Sequence, residues 1–200
     1  MITVDPKAIH IASVYTAVKD VRFYLRGIYF QPDKTGITLT ATDGHQLIQV
    51  HDKNGTCDKP VILELTKPAI SALTKAETVS FEQMNGLDWV LITDTQRHKI
   101  RAIDAKYPDV GAVLPSRPPL LSCLAKTFDA SLLASLHVAS KILSNKKLFH
   151  KVTLWPGAPN SPAYAEFGTD NLQCKVVIMP LQSDNADCNT ATVTYTEKAT

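Results

Sequence analysis

The chain has 200 residues, 44% hydrophobic and 20% charged, with 21 basic against 19 acidic side chains and a formal net charge of +2. That length and apolar content suit one large domain or two small ones with a proper core, and they argue against disorder. The charge is too balanced for a protein that holds nucleic acid mainly by neutralising phosphates, although one that encloses DNA needs only a weakly basic inner surface. No run approaches the roughly 18 apolar residues of a membrane span. Met1–Asp5 lacks the basic-then-apolar pattern of a secretory signal. Cys57, Cys123, Cys174 and Cys188 are scattered, with no Cys-x-x-Cys pair. They read as isolated buried thiols of a cytoplasmic protein.

In chain order, Asp5-Pro6 opens a helix, since Asp caps and Pro suits the first position. Ile11, Val14, Tyr15 and Val18 follow at helical spacing. Phe23–Gln31, Ile37–Thr42 and Gln46–His51 read as strands, with turns at Pro32–Gly36 and Asp43-Gly44. A second unit repeats the plan. It has a strand Val61–Leu65 and a helix capped by Thr66 with Pro68, Ile70, Leu73 and Ala76. Its strands follow at Val79–Gln83, Asp88–Asp94 and Lys99–Ala105, the first two joined at Asn85-Gly86. Tyr107–Pro119 is a proline-rich connector. A third unit has a helix from Phe128-Asp129 with an apolar stripe of Leu132, Leu133, Leu136, Ala139, Ile142 and Leu143. Strands follow at Lys151–Trp155, Tyr164–Gly168 and Cys174–Met179. Residues 183–200 turn polar and read as a tail, although Ala191–Glu197 alternates well enough for a late strand. Helix-plus-hairpin units of this kind predict an α+β protein whose antiparallel sheet carries helices on one face.

Three segments add a resemblance. Val21-Arg22-Phe23-Tyr24-Leu25-Arg26-Gly27-Ile28, Ala41-Thr42-Asp43-Gly44-His45-Gln46-Leu47, and Tyr107-Pro108-Asp109 with Val113-Leu114-Pro115 are similar to the middle domain of the bacterial DNA sliding clamp, the beta subunit of DNA polymerase III. Phe128–Leu143 and Val177-Ile178-Met179-Pro180-Leu181 resemble the last half of its third domain more loosely. The resemblance implies the DNA-clamp fold in about one and a half clamp domains. Residues 1–118 would be a complete domain, 119–182 a partial one and 183–200 the tail, with no counterpart of the family's first domain. It also implies a non-catalytic replication accessory protein of the cytoplasm, without cofactor or metal, that acts as a processivity factor. Polymerase or clamp-loader peptides would dock in a groove lined by Leu25, Thr42, Gly44, His45, Leu47, Pro108, Val113, Val177, Ile178, Met179, Pro180 and Leu181. Gln46 stands where the family usually has Arg, and Ala112 where many members have another.

Two mechanisms stay open within that resemblance. In one, oligomers enclose duplex DNA, with Lys7, Lys19, Lys67, Lys75, Lys141, Lys146 and Lys147 on or beside the helices, and copies pair through residues 119–182, a dimer being one such assembly. In the other, the chain regulates replication by competing for clamp-binding peptides. An enzyme built on Asp43 and His45, with Ser13 or Cys57 as nucleophile, is the contrasting class. The histidines lack metal-ligand spacing.

Overall fold

In the computed structural model of the chain, residues 1–111, 113–114, 126–144, 151–157 and 161–181 are described. After the short strand β1 (Ile2–Thr3), helix α1 (Pro6–Ser13) starts as its sequence dictates: the Asp5 carboxylate accepts from the Lys7 backbone N–H at 2.8 Å. The helix is shorter than its apolar spacing suggests. Ser13 Oγ donates to the His10 carbonyl and Thr16 Oγ1 to the Ser13 carbonyl. These hydroxyls satisfy carbonyls that a further turn would have used. Tyr15 is buried just beyond the end, whereas Val18 is 83% exposed.

The expected strand Phe23–Gln31 divides in two. Phe23–Arg26 form a 3-10 turn, and β2 (Ile28–Asp33) begins after Gly27. Leu25 is buried there, and its carbonyl accepts the Ala17 N–H at 3.0 Å. A Cβ on Gly27 would lie 2.5 Å from Ile62 Cγ2, so only glycine lets the chain pass at this point.

The remaining elements are β3 (Gly36–Thr42), β4 (Gln46–Asp52), β5 (Thr56–Cys57), β6 (Val61–Glu64), α2 (Lys67–Leu73), β7 (Val79–Asn85), β8 (Asp88–Thr93) and β9 (Arg97–Ala102), then α3 (Ala130–Leu143), β10 (Thr153–Trp155), β11 (Ala163–Gly168) and β12 (Leu172–Ile178). The β7–β8 turn is carried by Gly86 and Leu87, between paired Asn85 and Asp88. Sequence reading did not find β1 and β5, which are too short to show a period.

The described strands form one antiparallel sheet in the order β10-β11-β12-β4-β3-β2-β6-β9-β8-β7-β1-β5. The first two units interlock: β1 of the first pairs with β7 of the second, and β6 of the second pairs with β2 of the first. The third unit joins by β12 running alongside β4, from Leu172↔Asp52 to Ile178↔Gln46. The expected boundary at residue 118 and the tail 183–200 lie outside the described residues. On the inner side, α1 packs against both α2 and α3, and the core beneath includes Ile9, Ile11, Phe30, Leu39, Phe81 and Val176. The fold is α+β, as the sequence predicts.

Candidate functional site

The β3–β4 corner is built by local chemistry. Asp43 Oδ1 accepts from the backbone N–H groups of His45 and Gln46 at 2.8 and 2.9 Å. Thr42 Oγ1 donates to the Gln46 carbonyl at 2.7 Å and accepts from the Gly44 N–H at 3.0 Å. This is the Asx-type turn that the Asp-Gly pair forecasts. Gly44 has φ +95°, and a Cβ there would meet Arg22 Nη2 at 2.6 Å. The left-handed backbone therefore favours glycine, whereas the Arg22 guanidinium, at the end of a flexible side chain, can shift to admit a Cβ.

Three further segments converge on this corner. The 3-10 turn brings Leu25 and Tyr24. In the connector, the Val113 and Leu114 N–H groups both donate to the Val110 carbonyl at 3.1 Å, and Tyr107 stacks on Tyr29 at 4.9 Å. The end of β12 is tied to the corner by the Met179 N–H donating to the His45 carbonyl at 3.0 Å. Together they enclose a cavity of about 280 Å³. Beside it lies a second apolar cluster of Leu47, Val177, Trp155 and Tyr164, with Val110 and Leu114 packed on it.

Leu25, Thr42, Gly44, His45, Leu47, Pro108, Val113, Val177 and Met179 all line this cavity. Ile178 does not. Strand side chains alternate, so Ile178 points to the opposite face and is buried in the main core. Pro180 and Leu181 also lie outside the lining; the Leu181 N–H donates to the Thr127 carbonyl at 2.9 Å, and its side chain is 51% exposed. Arg22, Tyr24, Gln46, Asp109 and Val110 line the cavity without having been singled out as groove residues. Three of them adjoin a residue that was, which is the signal that could have found them: Tyr24 beside Leu25, Gln46 between His45 and Leu47, and Asp109 after Pro108.

The rim is polar. Arg22 clasps Asp20 with Nη2–Oδ2 at 2.8 Å and Nε–Oδ1 at 3.1 Å, and donates weakly to the Asp43 carbonyl at 3.4 Å. The side-chain and backbone hydrogen bonds from Arg22 hold the Asp20 carboxyl down at about 2. Gln46 is only 6% exposed. Its Nε2 donates to Asp43 Oδ2 at 3.2 Å and to Ser135 Oγ of α3 at 3.3 Å. Its Oε1 is buried with no partner among the described residues.

The groups considered for catalysis are otherwise engaged. The Asp43 carboxylate is occupied in holding its own turn, Ser13 Oγ donates to a helix carbonyl, and Cys57 Sγ donates to the Lys59 carbonyl at 2.8 Å. Burial raises the Cys57 thiol, and raises that of Cys174 to about 12. Among the described residues no cluster of three His, Cys, Asp or Glu could hold a metal, and no helix is long and apolar enough to cross a membrane.

Of the lysines singled out, Lys7 lies half-buried on α1, Lys67 opens α2, Lys75 follows it, and Lys141 is exposed on α3. Lys19 sits in the α1 exit loop with φ +60°, and Lys146 and Lys147 lie outside the described residues. None of the three helices contains an acidic residue between its end points.

No protein-family model matches the chain. In sequence it is 28% identical over 152 residues to the beta sliding clamp of Escherichia coli K12, covering 70% of this chain and 38% of that protein. It is 27% identical over the same length to the Salmonella typhimurium beta sliding clamp. The chain therefore spans about two-fifths of these curated relatives. In structure it is similar to the Pseudomonas aeruginosa DNA polymerase sliding clamp, with TM-score 0.61 and 19% identity over 89% of this chain and 64% of that one. It is also similar to a Bartonella birtlesii sliding clamp bound to griselimycin, with TM-score 0.66 and 16% identity over 89% of this chain and 64% of that one. By sequence and by fold, the chain is similar to the bacterial beta sliding clamps, of whose length it spans a part.

Proposed function

We propose that the chain is a non-catalytic, clamp-like replication protein that docks short apolar peptides of polymerases or a clamp loader in the groove between the β3–β4 corner, the connector and the end of β12. The observation that carries this reading is the convergence of four separated segments on one mainly apolar cavity, with Leu25, Leu47, Val113, Val177 and Met179 supplying its surface. At about 280 Å³ it lies near the lower end of the ~300–1,000 Å³ typical of ligand pockets. It suits the anchor side chains of a peptide, with a few polar groups left to orient the backbone. Met179, flexible and 46% exposed, lets one groove accept different anchors. The griselimycin complex of the Bartonella relative supports the reading, because it is a clamp of this fold holding a ligand. The test is fluorescence anisotropy of a labelled Gln-Leu-x-Leu-Phe peptide against the whole chain. Saturable binding in the micromolar range is expected, and no binding at high micromolar concentration removes the reading.

The DNA-enclosing mechanism draws on a different observation, the helix layer. The described helices, with no carboxylate between their end points and with Lys7, Lys67 and Lys141, offer a weakly basic layer to phosphates. Such a mechanism needs more than one copy. Among the described residues β10 ends the sheet, and a strand at the end of a sheet is a ready site for pairing with another chain. The proposed oligomer pairs there, within residues 119–182. Light scattering of the whole chain at micromolar concentration is expected to report a dimer or larger, and a monomer leaves only the competing-peptide mechanism.

A further inference from the structure

We infer that the groove selects peptides whose apolar anchor is flanked by lysine or arginine, and disfavours those flanked by aspartate or glutamate. This rests on the peptide-docking reading above and specifies its partner.

The charge around the rim carries it. Among the described residues lining the cavity, Arg22 is the only lysine or arginine, and the Nε–Nη2 edge of its guanidinium is closed on Asp20. Its charge is matched before any ligand arrives. Asp109 lines the same cavity, is exposed, and accepts the Gly111 N–H at Oδ1 at 3.0 Å. Asp43 lies directly behind the corner. Asp129, at the start of α3, is near enough to His45 to feel its charge, as Asp20 does. Asp109 on the lining and Asp20, Asp43 and Asp129 beside it thus set four carboxylates against the Arg22 guanidinium among the described residues of this corner. A peptide with a cationic flank is attracted to such a rim, and an anionic one is repelled.

The experiment compares three labelled peptides sharing the Gln-Leu-x-Leu-Phe anchor, flanked by two lysines, two serines or two aspartates, by anisotropy against the whole chain at low salt and at about 0.5 M salt. The lysine-flanked peptide is expected to bind about tenfold tighter than the aspartate-flanked one at low salt, with the ratio falling in high salt as screening shortens the reach of the rim. Asp109→Asn is expected to lower the ratio while the serine-flanked peptide still binds. Equal binding of all three, or tighter binding of the aspartate-flanked peptide, overturns the selectivity and leaves the groove intact. Failure of all three to bind overturns the docking reading and the selectivity with it.

Discussion

The double variant Val113→Asp/Met179→Asp is expected to bind the Gln-Leu-x-Leu-Phe peptide more than about 100-fold more weakly than the unmodified chain, with its melting temperature changed by only a few degrees. Val113 and Met179 face each other's segments across the cavity, and they are 45% and 46% exposed. A carboxylate at either position stays in contact with water in the free protein, and surface changes of this type usually alter stability by no more than about 0.5 kcal/mol. Docking changes the balance. An apolar anchor seated in the cavity would strip water from both carboxylates, and burying an unpaired charge costs several kcal/mol. Since ~1.4 kcal/mol is tenfold in affinity, even a partial penalty at the two sites exceeds 100-fold. Met179→Ala alone removes contact area without adding charge and is expected to weaken binding about three- to tenfold. Anisotropy measures affinity, and a thermal melt by circular dichroism shows that the fold persists. Unchanged affinity in the folded double variant would place the binding surface elsewhere.

How much of this groove was legible in the sequence depends on how local each part is. The Thr42–Leu47 corner could be read directly, because an Asp-Gly turn specifies its own hydrogen bonds within a few residues. The β12 wall was half legible. A continuous run from Val177 to Leu181 was expected to line the groove, yet strand alternation sends Val177 and Met179 one way and Ile178 the other. The turn at Phe23–Arg26 was misread because its aromatic residues favour strand, and the hydrogen bond from Ala17 to Leu25 that holds the turn comes from outside the segment. Least legible were long-range arrivals. Trp155 and Tyr164 pack on Leu47 and Val177 beside the groove only because β10 and β11 pair and β12 then runs along β4. Gln46 meets Ser135 across 89 residues of sequence. No local pattern announces such contacts.

The groove also depends on the first two units folding together, and one aromatic pair tests this. Phe30 lies on β2 of the first unit and Phe81 on β7 of the second. Their rings are fully buried and meet edge-to-face at 5.2 Å and 63°. The two strands are not hydrogen-bonded neighbours in the sheet, so the contact joins the units through the core. Phe30→Ala and Phe81→Ala are each expected to lower stability by about 3–5 kcal/mol, a large share of the ~5–15 kcal/mol that holds an ordinary domain. Phe30→Leu and Phe81→Leu keep most of the volume and give a second, milder cycle if the alanine variants fail to fold. In either cycle the double variant is expected to lose less than the sum of the singles, by about 0.5–1.5 kcal/mol in the alanine case, because each change removes the partner the other would have lost. Urea melts followed by fluorescence and by circular dichroism supply the energies. Coincident single transitions with a coupling of this size would mean that the interlocked β1–β7 and β6–β2 pairings and the Phe30–Phe81 contact act as one cooperative unit. Additive losses, or separate transitions for the two probes, would instead make the two units independent. The connector that follows β9 would then be carried by a different folding unit from the β3–β4 corner it faces across the groove.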